Sequence, residues 1–373
     1  MTSSSMIKSR QKKLKIMIND SDFDGIILNP GPSLYYLTGF HFHLSERPVI
    51  YIYKPDYNPA IVLPELEQAK TTKSSFLISS FPYHEDPSTW TASFRMAFDQ
   101  LELSGDRLGI EPRGLRFLEY QLIDAISENN QLMPADKLLA SLRMYKDEGE
   151  IAKIQEAVNI AEKALHATLP IIKVGATEKE IALELSIQLM RHGSEPSLPF
   201  SPIVSGGPNS ANPHASQSDR SLSSGDLLVI DYGANVSGYF SDITRTFAIG
   251  EIDPELREIA NIVQEANSAG RNAVKPGVKA ADVDDASRSI IEDAGYGKYF
   301  IHRTGHGLGL EVHEEPYIRS DNDQELEVGM TFTIEPGIYL PDRNGVRIED
   351  DVIVTHDGVH SFTNLPRELI TLS

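Results

Sequence analysis

Cysteine is absent from the 373-residue sequence. Without it no disulfide framework, thiolate metal site or cysteine nucleophile can form, so any metal must be bound by histidine, aspartate or glutamate. The sequence also lacks any apolar run close to the roughly 18 residues that span a bilayer. Its N-terminal segment is basic, but no apolar segment follows it. We therefore expect no secretory signal and a cytoplasmic location.

Positive charge is scarce. Lysine and arginine total 34 against 54 aspartates and glutamates, which gives a formal net charge of -20 at pH 7. A negative field of this size repels phosphate backbones and anionic lipids, so a nucleic-acid or membrane partner is disfavoured. The 40% hydrophobic share is enough for large cores.

Patterns along the chain predict two domains. In the first part, short runs rich in β-branched and aromatic residues alternate with helical patterns, as in an α/β domain. We place this domain at residues 1–135. Apolar residues then recur at helical spacing, among them Ile154, Val158 and Leu165. We place the second domain at residues 146–373.

Two segments of the second domain resemble each other. A helical stretch at Lys173–Gly193 is matched by one at Lys275–Gly295, with an offset of 102 (275 − 173 = 102). The strand pattern GDLLVID, which ends at Asp231, resembles GMTFTIE, which ends at Glu335. Similar segments in the same order indicate an internal duplication.

The first copy of the strand pattern continues into a hairpin that carries two aspartates. If its turn is centred between Val236 and Ser237, Asp231 lies opposite Asp242. Like charges directly opposed on neighbouring strands are destabilising. We therefore expect a positive group between these carboxylates.

The second copy has an equivalent acidic pair. With its loop centred on Asp342, Glu335 lies opposite Glu349. The alternative is that both pairs are solvated strand residues with Arg245 or Arg347 as counter-ion. Because the pairs occupy equivalent points of a repeat, a metal site is favoured.

Histidines supply the nitrogen ligands that such a site needs. His302, His306 and His313 fall in one glycine-rich segment. Four carboxylates and an imidazole suit Mn, Co, Fe or Zn. Their charge balances two divalent ions, which at roughly 3.5–4 Å apart can activate a water. His214 lies in a loop ahead of the first hairpin, and the sequence favours neither a functional nor a structural role for it.

These segments resemble a known family. VIDYGANVSGYFSDITRTF, HRTGHGLGLEVHEEP, TIEPGIYL and VRIEDDV are similar to the metallopeptidases that include methionine aminopeptidase, aminopeptidase P and prolidase. The resemblance covers about residues 146–370 and implies the internally duplicated pita-bread fold in an α/β (α+β) chain. The first domain resembles the creatinase/prolidase N-terminal domain, which indicates the proline-specific branch.

The resemblance also implies the roles of individual residues. The implied metal ligands are Asp231, Asp242, His306, Glu335 and Glu349. Of these, Asp242 and Glu349 would bridge two divalent ions, with manganese expected and cobalt, zinc or iron as alternatives. A hydroxide between the metals would attack the scissile carbonyl, and Glu335 would move the proton.

Four further residues are implied to contact or support the substrate. His313 and His214 would bind substrate and stabilise the developing oxyanion, and His302 and Arg347 would support substrate binding. No ligand position departs from the family pattern.

The implied activity is hydrolysis of Xaa-Pro bonds by an Xaa-Pro dipeptidase (prolidase). The alternative is an Xaa-Pro aminopeptidase that acts on longer peptides. A metal-free creatinase-like hydrolase or a non-catalytic binding protein is disfavoured by the complete ligand set. Related prolidases are homodimers, so we also expect a homodimer. In it the segment Thr38–Pro48, which joins two expected strands and carries His41 and His43, would reach the partner's site.

Overall fold

The computed structural model describes residues 4–127 and 129–373. The chain forms two compact units, Met1–Arg143 and Met144–Ser373. Helix α6 (Asp136–Arg143), which the sequence analysis assigned to neither domain, therefore belongs to the first unit. Residues 1–3 of the expected first domain lie outside the described residues. Within the described part, no helix is both long and apolar enough to cross a membrane.

The first unit is built on a six-stranded mixed sheet, with strand order β4-β3-β2-β1-β5-β6. Its strands are β1 (Gly25–Leu28), β2 (Ile50–Tyr53), β3 (Ala60–Pro64), β4 (Ser79–Tyr83), β5 (Arg107–Ile110) and β6 (Gln131–Pro134). Its other helices are α1 (Ser4–Asn19), α2 (Pro32–Thr38), α3 (Gln68–Thr72), α4 (Trp90–Gln100) and α5 (Phe117–Asp124). Strands β1 to β3 are buried along their whole length, as expected of central strands covered on both faces.

The segment Thr38–Pro48 was expected to join two strands, and this was wrong. Helix α2 lies between β1 and the segment, because Pro32 starts a helix that Gly39 ends in the left-handed conformation. Within the segment, His41 and His43 are exposed and Phe42 is buried.

The described part of the second unit contains four long helices and two larger sheets. The helices are α7 (Glu148–Thr168), α8 (Glu178–Arg191), α9 (Pro254–Ala273) and α10 (Ala280–Asp293). The strands of the first half are β7 (Ile203–Gly206), β8 (Leu227–Tyr232), β9 (Asn235–Val236), β10 (Tyr239–Phe240) and β11 (Ile243–Ile249). Those of the second half are β12 (Gly305–Gly307), β13 (Glu314–Ile318), β14 (Thr331–Ile334), β15 (Gly337–Leu340), β16 (Asn344–Arg347), β17 (Asp350–Thr355), β18 (Gly358–Ser361) and β19 (Ile370–Leu372). The two larger sheets have the orders β19-β11-β8-β7 and β13-β12-β14-β17-β18. The second of these is antiparallel, whereas in the first β19 pairs in parallel with β11.

The internal duplication is confirmed. Helices α8 and α10 begin 102 residues apart (280 − 178 = 102). Each is preceded by an isolated bridge to a later segment, Thr177 to Ser221 in one copy and Lys279 to Glu325 in the other. At the N-terminus of α8, Thr177 and Glu180 form a capping box. At the N-terminus of α10, the backbone N–H of Lys279 donates to Asp282.

The register expected for the first hairpin was wrong. Asp231 pairs with Thr244 rather than with Asp242. The two central turn residues are Ser237 and Gly238, with φ of 53° and 82°. A two-residue hairpin turn of this kind needs positive φ at both positions, which a β-branched valine resists. The turn therefore lies one residue later, and Asp242 precedes Thr244 by two positions, on the same side by strand alternation.

The register expected for the second hairpin is confirmed. On one side of the acidic pair Ile334 pairs with Asp350, and on the other side Gly337 pairs with Arg347. Both pairs sum to 684 (334 + 350 and 337 + 347), as do Glu335 and Glu349, which lie between them. Glu335 and Glu349 therefore lie opposite each other in the second hairpin, whereas Asp231 and Asp242 are offset by two residues in the first.

The turn geometry can be tested with two neighbouring substitutions. Gly238→Ala is expected to lower the free energy of unfolding by about 1–2 kcal/mol, because alanine is strained at positive φ. Ser237→Gly is expected to preserve or raise it, since glycine adopts this conformation freely. Urea denaturation of both variants measures the difference. A turn centred on Val236 and Ser237 would leave Gly238→Ala without effect, which would contradict the observed register.

Candidate metal centre

The two acidic hairpins meet through one backbone bridge. Thr244 of β11 forms an isolated antiparallel bridge with Glu349, just before β17. The Thr244 hydroxyl donates to Glu349 Oε2 at 2.7 Å. Residues that are about a hundred positions apart in the chain are thus held side by side.

All five predicted ligands converge where the hairpins meet. Their donor atoms form overlapping sets within 4.8 Å: Asp231, Asp242 and Glu349; His306, Glu335 and Glu349; and Asp242, His306 and His313. The Nε2 atom of His306 lies 3.3 Å from Glu335 Oε1 and 3.6 Å from Asp242 Oδ2. Each two of these sets share one residue, which is Asp242, Glu349 or His306, so the donor atoms form one continuous cluster of possible metal ligands.

Unpaired carboxylate atoms show that a cation fits this cluster. Among the described residues, Asp231 Oδ1 and Asp242 Oδ1 are buried without a hydrogen-bond donor. Burying a charged oxygen without a partner costs several kcal/mol in general. A divalent ion would supply the missing partner, so the residues present fit a metal.

The charge states of the protein alone lead to the same conclusion. Burial, reinforced by neighbouring carboxylates, raises the pKa of Asp242 and of Glu349 well above the usual range. Burial also raises the pKa of Glu335 to about 7, although Arg347 opposes the shift. Burial and the nearby His313 lower the pKa of His306 well below its usual value. His306 is therefore neutral, the form of imidazole that binds metals.

Arg347 provides part of the counter-charge, as the alternative interpretation supposed. Its Nη2 donates to Asp231 Oδ2 at 2.6 Å. Arg245 does not contribute, because its guanidinium pairs with Asp350 instead. One arginine cannot balance four carboxylates, so the need for a cation remains.

Tyr339 belongs to the site but was not predicted from the sequence. Its hydroxyl accepts from Arg347 Nη1 at 2.7 Å and lies 2.9 Å from His302 Nε2. His302 Nδ1 lies 2.7 Å from the carbonyl oxygen of Arg303, which fixes it as the donating nitrogen. Burial and Arg347 lower the pKa of His302 to about 3, so the neutral ring accepts from Tyr339. The only sequence signal for Tyr339 was its position four residues after Glu335, because side chains an even number of residues apart in a strand point to the same side.

The two remaining histidines are exposed beside the cluster. The ring of His313 stands edge-on to His306, with centroids 4.2 Å apart. Burial lowers the pKa of His313, with contributions from Arg303 and His214. The carbonyl oxygen of Pro213 accepts from Arg347 at 3.4 Å, which brings the His214 loop to the same network. Every residue singled out for the site thus lies in or beside one cluster.

Comparison with known proteins agrees with this geometry. Residues 152–356 match the family model of metallopeptidase family M24, and residues 10–145 match that of the creatinase/prolidase N-terminal domain. An Xaa-Pro dipeptidase of Pyrococcus furiosus is 35% identical over 367 residues, which cover 98% of this chain and 100% of the relative.

Solved structures match over nearly the whole chain. A dipeptidase from Pyrococcus horikoshii OT3 is 40% identical with a TM-score of 0.91, covering 97% of this chain and 100% of that one. A prolidase from Thermococcus sibiricus is 36% identical with a TM-score of 0.92, covering 98% and 99%. The chain therefore belongs to metallopeptidase family M24, as a peptidase that depends on divalent metal ions and carries a creatinase/prolidase N-terminal domain.

Proposed function

We propose that this protein is an Xaa-Pro dipeptidase, which hydrolyses the bond between an N-terminal residue and proline. The observation that carries the proposal is the cluster of four carboxylates and His306 at the junction of the two hairpins. The relatives support the substrate class, because they are an Xaa-Pro dipeptidase, a dipeptidase and a prolidase.

Two divalent ions would be held by the cluster, with manganese as the first candidate and cobalt, zinc or iron as alternatives. Asp242, Glu349 and His306 each belong to two donor sets, and of these only the two carboxylates have two oxygens with which to bind two ions, which supports Asp242 and Glu349 as shared ligands. Asp231 would complete one position, and His306 with Glu335 the other. When bound, such ions would polarise the peptide carbonyl and lower the pKa of a water.

Glu335 is assigned the proton transfer. Its side chain is 14% exposed, so it borders the space open to substrate. A carboxyl whose pKa is about 7 in the protein alone can both accept and release a proton near neutral pH. Glu335 would take the proton from the attacking water and deliver it to the proline nitrogen.

The histidines divide into two kinds. His313 and His214 have exposed rings, so they are assigned to bind substrate and to donate to the developing oxyanion. His302 and Arg347 already have partners on all their side-chain nitrogens. They would support substrate binding by holding Tyr339 and Asp231 in place.

An Xaa-Pro aminopeptidase is the second candidate, because it would use the same cluster and differ in the length of peptide accepted. A metal-free hydrolase or a binding protein is disfavoured, since it would leave the buried carboxylate atoms of Asp231 and Asp242 without a partner.

Substrate length and metal dependence can be tested together. Enzyme reconstituted with manganese is expected to hydrolyse Xaa-Pro dipeptides at least about tenfold faster than Xaa-Pro-Yaa tripeptides, in kcat/KM, which is roughly 1.4 kcal/mol of transition-state binding. Chelation should abolish the activity, and elemental analysis should find up to two metals per chain. Faster tripeptide cleavage would favour the aminopeptidase. Full activity in demonstrably metal-free protein would exclude both.

The division of roles can be tested by substitution. Glu335→Gln is expected to lower kcat by about 10²–10⁴-fold, because the proton carrier is lost, while the folded structure persists. His313→Ala should depress kcat with the metals retained, and His356→Ala, at an exposed histidine away from the cluster, serves as control. Loss of metal in His313→Ala with normal turnover per bound metal would show the assignment to be wrong.

We retain the expectations of a cytoplasmic location and a homodimer. The exposed rings of His41 and His43, on either side of buried Phe42, are available to a second chain. In the proposed dimer they contact the partner's substrate pocket and limit the space beyond proline.

Subunit mixing tests the crossed segment. His41→Ala/His43→Ala protein and Glu335→Gln protein should each be poorly active, yet hybrid dimers would contain one site with both a normal segment and a normal base. Activity is therefore expected to rise on mixing. Hybrid dimers without a gain in activity, or a solution mass equal to the 41.3 kDa chain, would contradict this arrangement.

A further inference from the structure

A cavity of about 500 Å³ lies in the second unit, between the C-terminal half of helix α9 and the segment 364–368. Its polar lining includes Arg271, Arg367, Ser268 and Asn364. The volume is typical of small-molecule sites. None of the residues assigned to the metal centre lines this cavity.

Three arginines share one buried carboxylate behind the cavity. Asp350 Oδ1 lies 2.7 Å from Arg245 Nη2, and Asp350 Oδ2 lies 2.7 Å from Arg367 Nε and 3.4 Å from Arg271 Nε. Three positive charges meet one negative charge, which leaves a surplus of two (3 − 1 = 2). Burial, followed by repulsion from Arg367, lowers the pKa of Arg271. An anion in the cavity would relieve this repulsion.

The arginines differ in how fully they are hydrogen-bonded. Arg245 donates through all three nitrogens, mostly to backbone carbonyls. Arg367 uses Nε and Nη2, and Arg271 uses Nε towards Asn267. Within the described part of the chain, Arg367 Nη1 and both Nη atoms of Arg271 have no acceptor. The two arginines with spare donors are the two that line the cavity.

Two glutamates also line the cavity, but they do not replace the missing acceptor. Glu265 and Glu368 are exposed, and in the described residues neither lies within 4.0 Å of an arginine nitrogen. Exposed carboxylates act through water, where the interaction of unit charges at 4 Å is only about 1 kcal/mol. The spare N–H groups are only partly exposed, since the Arg271 and Arg367 side chains are each 21% accessible.

We propose that this cavity is an oxyanion-binding site, which takes a carboxylate or phosphate group of a small molecule between the guanidinium groups of Arg271 and Arg367. Guanidinium groups suit this role because they present paired donors that match the oxygens of such anions. The occupant balances the surplus charge on the arginines around Asp350. Binding therefore stabilises the folded protein, and it is independent of the proposed peptidase activity.

Sulfate is the probe, tested on the metal-loaded protein by calorimetry and thermal denaturation, with sodium chloride at matched ionic strength. Sulfate is expected to bind and to raise Tm beyond the chloride control. Arg271→Met should weaken sulfate binding at least about tenfold, because two charge-assisted hydrogen bonds are lost. Arg343→Met is the matched control, since Arg343 is an exposed arginine that pairs with Glu255 near the start of the same helix.

Folding defects are separated from binding defects by Arg271→Lys. Lysine keeps the positive charge beside Asp350 but lacks the forked donor pair, so it should fold normally and bind sulfate more weakly than the native protein. Succinate and phenyl phosphate then distinguish a carboxylate ligand from a phosphate ligand. Binding of either compound that is tighter than that of sulfate, and that is lost in Arg271→Met, supports the proposal. Sulfate binding no stronger than that of chloride, or binding unchanged in Arg271→Met and Arg271→Lys, overturns it.

Discussion

The second unit depends on one electrostatic constraint, which is that four carboxylates share a buried site. Unit charges about 4 Å apart interact by roughly 4 kcal/mol at the effective dielectric near a protein surface, and more strongly as burial increases. Arg347 offsets one of the charges through Asp231. The raised pKa values of Asp242 and Glu349 show the response available to the protein alone, which is to keep protons on the remaining carboxyls. Metal ions would replace those protons, so metal binding and proton release are linked.

The duplication explains how such a costly cluster is assembled. Each copy contributes a hairpin with one acidic pair, and the bridge between Thr244 and Glu349 sets the two copies against each other. His306 enters from β12, where Gly305 and Gly307 allow close approach, because a Cβ at either position would lie within 2.3 Å of a backbone oxygen. The site is thus fixed by backbone pairing rather than by flexible side chains.

The internal duplication and the register of the second hairpin could be predicted from the sequence. The offset between the copies could be found because the helix of each copy starts at an equivalent point, just after a bridge to a later segment. The register of the second hairpin followed from a loop whose centre was placed correctly at Asp342. The first register failed because loop composition alone did not show which residues take positive φ, and Ser237 and Gly238 do. Tyr339 was not predicted because its contacts with Arg347 and His302 depend on side-chain directions that the sequence pattern does not show.

Strand alternation accounts for the choice that the sequence left open between Arg245 and Arg347. Thr244 and Glu349 face the carboxylate cluster, so their neighbours Arg245 and Asp350 point to the opposite side and pair there. The metal-site carboxylates, with Arg347, therefore lie on one side of these two strands, and the Arg245–Asp350 ion pair lies on the other. Arg245 also donates to the backbone carbonyls of Thr244 and Glu349, so it holds in place the backbone from which the Glu349 carboxylate projects. In a chain with a formal charge of -20, the positive cluster around Asp350 therefore supports the backbone that carries the acidic residues.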